Sequence, residues 1–335
     1  MSTKLQQYKD KLGTFSLKFW AVLLLATALV LIANLVASNY FSTQEINARA
    51  LSSELQVLSQ KLAKYSKDAT SGDAEAFVKF RETKERITEV VAKLNKNHNS
   101  LGAKGALAQV GKTWATISKN ADLILKSETE IVTLSKTANQ FTARVPQLSA
   151  RLSEVVSAMS DYSAPASQIN LANRQIVLAD RMARRVAEVV SGGEKSISSA
   201  DALSRDTAVF SQILSGLKSG NTELNVMAVS SPAAMSSVVA AEQLFSESVK
   251  EIKIILDGAT NLYDVNQAEQ AISLDSDLLL EDSENLYSAF NNINLRRVFP
   301  NSYITIVASV LALVCIVFLL LSVFSSQRGQ LSKSN

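Results

Sequence analysis

Two uncharged apolar runs bracket this chain, and they constrain its fold more than anything between them. Residues 19–38 read FWAVLLLATALVLIANLVAS, with Asn34 the only strongly polar side chain, and residues 303–324 read YITIVASVLALVCIVFLLLSVF. At ~1.5 Å of rise per residue, a helix of about 20 residues spans the ~30 Å hydrocarbon layer of a bilayer. Both runs are therefore expected to cross a membrane. The first is longer than the apolar stretch of a signal peptide and ends without a clear small-x-small cleavage site, so it reads as a retained anchor. Lys4, Lys9, Lys11 and Lys18 outweigh Asp10 before it, and Arg328 and Lys333 follow the second run without an acid. By the positive-inside rule both ends are expected in the cytoplasm. Arg296 and Arg297 argue the other way, but they belong to a connection of about 260 residues, which translocates largely regardless of its charge. The expected layout is a cytoplasmic start (1–18), a first span (19–38), two periplasmic modules (39–145 and 146–301), a second span (302–324) and a cytoplasmic tail (325–335). The expected location is a bacterial inner membrane.

What lies between the spans reads as helix throughout. Gly (11) and Pro (4) are scarce in 335 residues, whereas strands need frequent turn punctuation. From Phe15 to Ser71 there is neither, so the first span is expected to continue as one helix, with a stripe of Ile46, Leu51, Leu55, Leu58, Leu62 and Tyr65. The turn Ser71-Gly72-Asp73 ends it, with Asp73 as a cap for a helix over 74–97. A third helix is expected over 107–144, closed by Pro146. The segment 148–162 leads to Pro165 and a helix over 167–190, another follows over 199–217, and Gly216, Gly220 and Pro232 punctuate a loop holding one short helix. A last helix runs from Ala233 toward Pro300.

The two modules repeat one another. At a constant offset of 120, Val57-Leu58 falls on Val177-Leu178, Lys61 on Arg181, Leu62-Ala63 on Met182-Ala183, Lys64 on Arg184 and Ser71-Gly72 on Ser191-Gly192. After a three-residue shift Phe80, Ile87 and Leu94 meet Leu203, Phe210 and Leu217. At an offset of 131 Trp114, Ile124 and Ile131 meet Phe245, Ile255 and Leu262. Apolar, basic and Gly positions agree together, which is the signature of a duplicated module of about 120 residues. The fold class expected is all-α: two transmembrane helices flanking an elongated domain of two antiparallel helical bundles.

Charge separates the modules. Residues 39–145 hold 16 bases and 11 acids (+5), and residues 146–301 hold 12 bases and 19 acids (−7). Residues 254–295 carry eight acids and no base. That stretch reads either as a solvated face or as one complementary to a basic surface.

Chemistry of the catalytic kind finds no footing. One Cys and one His exclude a disulfide framework and an ordinary zinc site. His98 sits in a polar helix end, and Cys315 lies within the second run as a packing residue. No phosphate loop or nucleophile–His pairing occurs, so no enzyme, metal or cofactor is expected, and a net charge of +3 gives no reason to expect nucleic acid. The repeated helix is the better candidate. Asn170, Arg174, Arg181 and Arg185, at steps of four, seven and four, line one side of it beside an apolar stripe of Ile169, Ala172, Ile176, Ala183 and Val190. Guanidinium groups so placed suit an anion, or else serve as ion pairs holding the bundle together.

Residues 169–184, INLANRQIVLADRMAR, resemble the signature helix of the PilJ-type domain, the sensory region of type IV pilus methyl-accepting chemotaxis transducers; a related helix occurs in nitrate/nitrite sensor kinases. Asn170, Ala172, Arg174, Gln175, Leu178, Arg181 and Ala183 match that pattern, and Leu58-Ser59-Gln60 with Ala63-Lys64 match it again in the first module. Asn173 and Asp180 depart from it. Ile176 stands where the nitrate sensors carry their anion-binding Arg, which argues against nitrate-type recognition. A transducer of this kind continues past its second span into a HAMP module and a signalling coiled coil, whereas this sequence runs eleven residues past Phe324. What the resemblance implies is a homodimeric periplasmic sensor of pilus state or surface contact that controls twitching motility, with pilin as a partner. A cytoplasmic kinase or adaptor would be a partner where the chain continues. A small-anion receptor and a membrane tether without signalling are the rival expectations.

Overall fold

The computed structural model describes the backbone of residues 2–98, 103–292 and 299–331, with side chains over 18–96, 103–292, 299–321 and 323–324. Gly102, Arg296, Arg297 and Lys333 lie outside the described residues, as do the side chains of Lys4, Lys9, Asp10, Lys11, His98 and Arg328. Eight helices account for nearly all of what is described: α1 (Ser2–Thr70), α2 (Ala74–His98), α3 (Lys104–Lys126), α4 (Glu128–Asp161), α5 (Ala166–Val190), α6 (Ser196–Ser219), α7 (Pro232–Asn291) and α8 (Ser302–Leu331). One isolated bridge, Asn221 with Val226, is the sole extended pairing among the described residues. The chain forms two compact units: residues 1–54, 92–109 and 282–335, and residues 55–91 with 110–281.

In the first unit α1 and α8 are both long and apolar enough to cross a membrane, with mean hydropathies of 2.5 and 3.2 over their most apolar windows. Their pairing is fixed by the few polar and aromatic side chains there. Asn34 is buried; its Nδ2 donates to Thr305 Oγ1 at 2.7 Å and to the Asn301 carbonyl at 3.3 Å, and its Oδ1 accepts from the Asn301 N–H at 3.3 Å. An amide in an apolar helix is tolerated when its hydrogen bonds close inside the helix pair. Near the opposite end Trp20 stacks on Phe318 with ring centroids 4.5 Å apart, and Cys315 is buried between.

In the second unit one apolar cluster joins α4 from Ala138 onward, α5, α6 and α7 as far as Ala259, around Phe141, Leu152, Met182, Phe210 and Phe245. The other buried positions of this unit include Leu55 and Leu62 of α1, Phe77, Phe80 and Ile87 of α2, Val110, Ile117 and Ile124 of α3, and Leu262, Val265, Ile272 and Leu279 of α7. Steps of three, four and seven put each set on one helix face. Two acids of the acid-rich part of α7 are engaged from within this unit, one by an amide and one by the field of a lysine. Gln60 Nε2 donates to Asp277 Oδ1 at 3.3 Å; burial pushes the Glu269 carboxyl above its ordinary range, while Lys67 opposes the shift.

Three local expectations are corrected. Pro146 does not close a helix: α4 runs through it to Asp161. The proline is exposed while Phe141, Val145 and Leu148 around it are buried, so packing holds the helix and the missing N–H bond falls on the solvent side. The break lies instead at Ser127, whose N–H is shared between the Leu123 and Ile124 carbonyls before Glu128 and Glu130 open α4. No short helix forms in residues 220–231, and Gly216 belongs to α6. A Cβ on Gly216 would lie 3.0 Å from Val226, so its absence lets the loop fold back onto the helix.

Candidate functional site

The repeated helix is α5. Pro165, with φ −55°, precedes it, and no Gly or Pro interrupts it to Val190. Gln168, Ala172, Gln175, Leu178, Ala179, Met182, Val186 and Val189 form its buried face. The four polar residues expected to act together do not all meet. Arg181 and Arg185 converge on one carboxylate, Asp206 of α6. Arg181 Nε and Nη2 donate to its two oxygens at 2.9 and 2.6 Å, and Arg185 Nε lies 2.6 Å from Oδ2, an ion pair outside hydrogen-bond alignment. Asn170 and Arg174 are exposed, and Arg174 makes no ion pair among the described residues. Two guanidiniums on one carboxylate leave this face with an excess of positive charge, and the fork of Arg181 is taken up by Asp206.

Asp206 is the residue that spacing along α5 could not supply. Its signal was present: it falls three residues after Leu203 and four before Phe210, on the apolar face of α6, where an acid needs a cation. In the duplicated register Arg181 corresponds to Lys61 and Asp206 to Thr83, whose hydroxyl donates to its own helix at Lys79 O, 2.7 Å away. The paired charge thus belongs to the second module alone.

The turn that ends the helix repeats in full. Ser71 Oγ donates to Asp68 O and Ser191 Oγ to Glu188 O; Gly72 N–H donates to Ala69 O and Gly192 N–H to Val189 O. Ser135 Oγ reaches Ser71 O at 3.2 Å, and Asn266 Nδ2 reaches Ser191 O at 3.3 Å. Ser135 and Asn266 stand 131 residues apart, the offset already seen at Trp114 and Phe245. Each of the two turns is thus capped by a side chain of a passing helix, α4 or α7.

Gln175 departs from its counterpart. It is fully buried, and neither its Nε2 nor its Oε1 has a protein partner. Leu55, in the same place of the first module, is also fully buried. An unsatisfied buried amide costs roughly 1–3 kcal/mol. Gln175→Leu is accordingly expected to stabilise the chain by about that amount and raise its urea midpoint; an unchanged midpoint would show that the amide is satisfied in solution.

No family model matches the chain. It is 30% identical over 279 residues to AlkN of Alcanivorax borkumensis, described as a methyl-accepting chemotaxis protein, covering 83% of this chain and 41% of that one. It is 28% identical over 279 residues to the protein PilJ of Pseudomonas aeruginosa, covering 81% of this chain and 41% of that one. The chain is thus homologous to AlkN and PilJ along most of its own length and spans about two fifths of each of them. Among solved structures, the sensor domain of the histidine kinase TorS from V. parahaemolyticus superposes with a TM-score of 0.45 at 13% identity, over 77% of this chain and 100% of that one.

Proposed function

We propose that this chain, a homologue of PilJ and AlkN, is the sensory and membrane-spanning portion of a type IV pilus-linked chemoreceptor that relays pilus or surface input to the control of twitching motility. The observation that carries this reading is the likeness to AlkN, whose name describes methyl-accepting chemotaxis, and to PilJ over four fifths of the chain, together with apolar helices α1 and α8 at either end of a helical domain. In this reading residues 39–301 lie in the periplasm, both ends lie in the cytoplasm, as the lysines before the first span favour, and two copies work as a homodimer. Input reaches the cytoplasmic side as a shift of ~1–2 Å along α1 or α8, small enough for packed helices to accommodate.

The test is crosslinking of the full chain in lipid nanodiscs to purified major pilin. Arg174→Glu is the informative control, because Arg174 is exposed and its reversal leaves the Arg181–Asp206 pair intact. Capture that this variant weakens roughly tenfold, about 1.4 kcal/mol, is the expected result. Absence of capture at pilin concentrations of ~100 μM would remove pilin as the input. A second reading, a small anion at the Arg174/Arg181 face, is favoured by the excess positive charge over Asp206. Calorimetry with inorganic anions on the wild type and on Arg174→Ala separates it from the first.

A further inference from the structure

At one end of the second unit, where α4 turns into α5 and α6 into α7, two loops close around a cavity of about 210 Å³. Met159, Tyr162, Pro165, Met227 and Val229 supply its apolar wall, and each of the eleven residues around it is uncharged. The cavity is held in shape by a committed side chain. Gln168 is buried; its Nε2 donates to the Asn225 carbonyl and its Oε1 accepts from the Met227 N–H, both at 2.9 Å. Its amide fixes the loop with one donor and one acceptor. Ser163 and Asn225 carry φ values of +54° and +52°, a left-handed backbone that residues other than glycine adopt sparingly, so each loop is bent at a position the surrounding contacts must hold. The Val229 N–H is taken by the Leu217 carbonyl at 2.9 Å. On the far wall Ser231, also buried, caps α7: its Oγ accepts from the Ala234 N–H at 3.3 Å. The exposed hydroxyls of Ser163 and Ser230 remain uncommitted among the described residues.

We propose that this cavity binds a small neutral molecule with an apolar body and one hydroxyl or carbonyl group. The size follows from volume, since an apolar cavity of ~150 Å³ already holds benzene. The neutrality follows from the lining: all eleven residues are uncharged, so a carboxylate or ammonium finds no counter-charge there. The thioethers of Met159 and Met227 suit an apolar body of variable shape, because methionine repacks around irregular surfaces. The Ser163 and Ser230 hydroxyls, at the rim, suit its single polar group. An occupant touches the cap of α7, a helix of 60 residues, so binding bears on the start of that helix. The assignment goes beyond the pilus reading and stands without it, because occupancy can be measured apart from any output.

Cyclohexanol is a suitable probe, titrated into the full chain in lipid nanodiscs with methionine methyl groups labelled with carbon-13. The Met159 and Met227 resonances are expected to shift saturably, with a dissociation constant on the order of 1 mM. Met182, in the middle of the buried face of α5, is expected to stay in place and report that the bundle is intact. Ala228→Trp, a change at an exposed lining position, should abolish the shifts while leaving the Met182 resonance unmoved. Cyclohexanecarboxylate, the same ring with a charge, should bind at least tenfold more weakly. Shifts that do not saturate, that Met182 shares, or that survive Ala228→Trp would overturn the site; equal binding of the carboxylate would overturn its preference for a neutral ligand.

Discussion

Gly192→Ala is expected to lower the stability of the chain by on the order of 3 kcal/mol, among the larger effects open to a single methyl group. Gly192 holds φ at +65°, where an L-residue with a Cβ is strained by about 1–3 kcal/mol. The new Cβ would also press into the Leu262 carbonyl oxygen and stand 2.9 Å from Asn266 Cβ. The oxygen is main chain in the middle of α7 and cannot swing aside as a side-chain tip would. Relief would push the turn away from α7 and stretch the hydrogen bond from Asn266 to Ser191 O. Gly72→Ala should repeat the effect in the first module, where φ is +95° and the Cβ collides with the side chain of Ser135 instead. Gly193→Ala is the control, because a Cβ there finds only the Ser191 hydroxyl, at 3.7 Å. Urea denaturation of the three variants decides the matter. A Gly192→Ala midpoint matching that of Gly193→Ala would mean the turn does not dock as described.

These paired turns also show what the sequence carried. A Ser-Gly step recurring at an offset of 120 is legible because the backbone needs glycine at both places and helix-forming residues surround it. Likewise the absence of Gly and Pro from Phe15 to Ser71 announced a continuous α1, and the apolar steps over 74–97 announced α2. Pro146 misled because proline breaks a helix only where its lost bond is not offset; Phe141, Val145 and Leu148 offset it by burial, a tertiary fact that local pattern does not hold. At Ser127 the cue was there, since Ser127-Glu128-Thr129-Glu130 has the spacing of a helix start. The candidate site was legible as a row of bases and no further. Which carboxylate Arg181 and Arg185 would choose depended on the pairing of α5 with α6, and Asp206 lies 25 residues from Arg181. The cavity under the loops left even less trace, because Gln168, Asn225 and Met227 are brought together by a packing that no single helix period encodes.

Ala48→Pro is expected to abolish the proposed relay while leaving the chain in the membrane at its normal level. Ala48 is fully buried on α1, ten residues beyond the apolar run, and its carbonyl accepts from the Ser52 hydroxyl at 2.8 Å. A proline there removes the N–H that bonds one turn back and sets its ring against the preceding turn, at a cost of ~3 kcal/mol or more. Unlike Pro146, it would stand on a buried face, where the freed carbonyl meets no water and the ring displaces packed neighbours. The helix would kink or part at that point. A displacement of ~1–2 Å is smaller than the play such a kink introduces, so motion on one side of residue 48 would no longer fix motion on the other. In cells carrying Ala48→Pro as the sole copy, the motility response to a surface should fall to that of cells lacking the protein. The probe-dependent shifts of Met159 and Met227 should persist, since that cavity lies in the other compact unit. A normal surface response with a kinked α1 would rule out the helix as the carrier. Loss of the response together with the methionine shifts would mean that the substitution had unfolded the domain instead of uncoupling it.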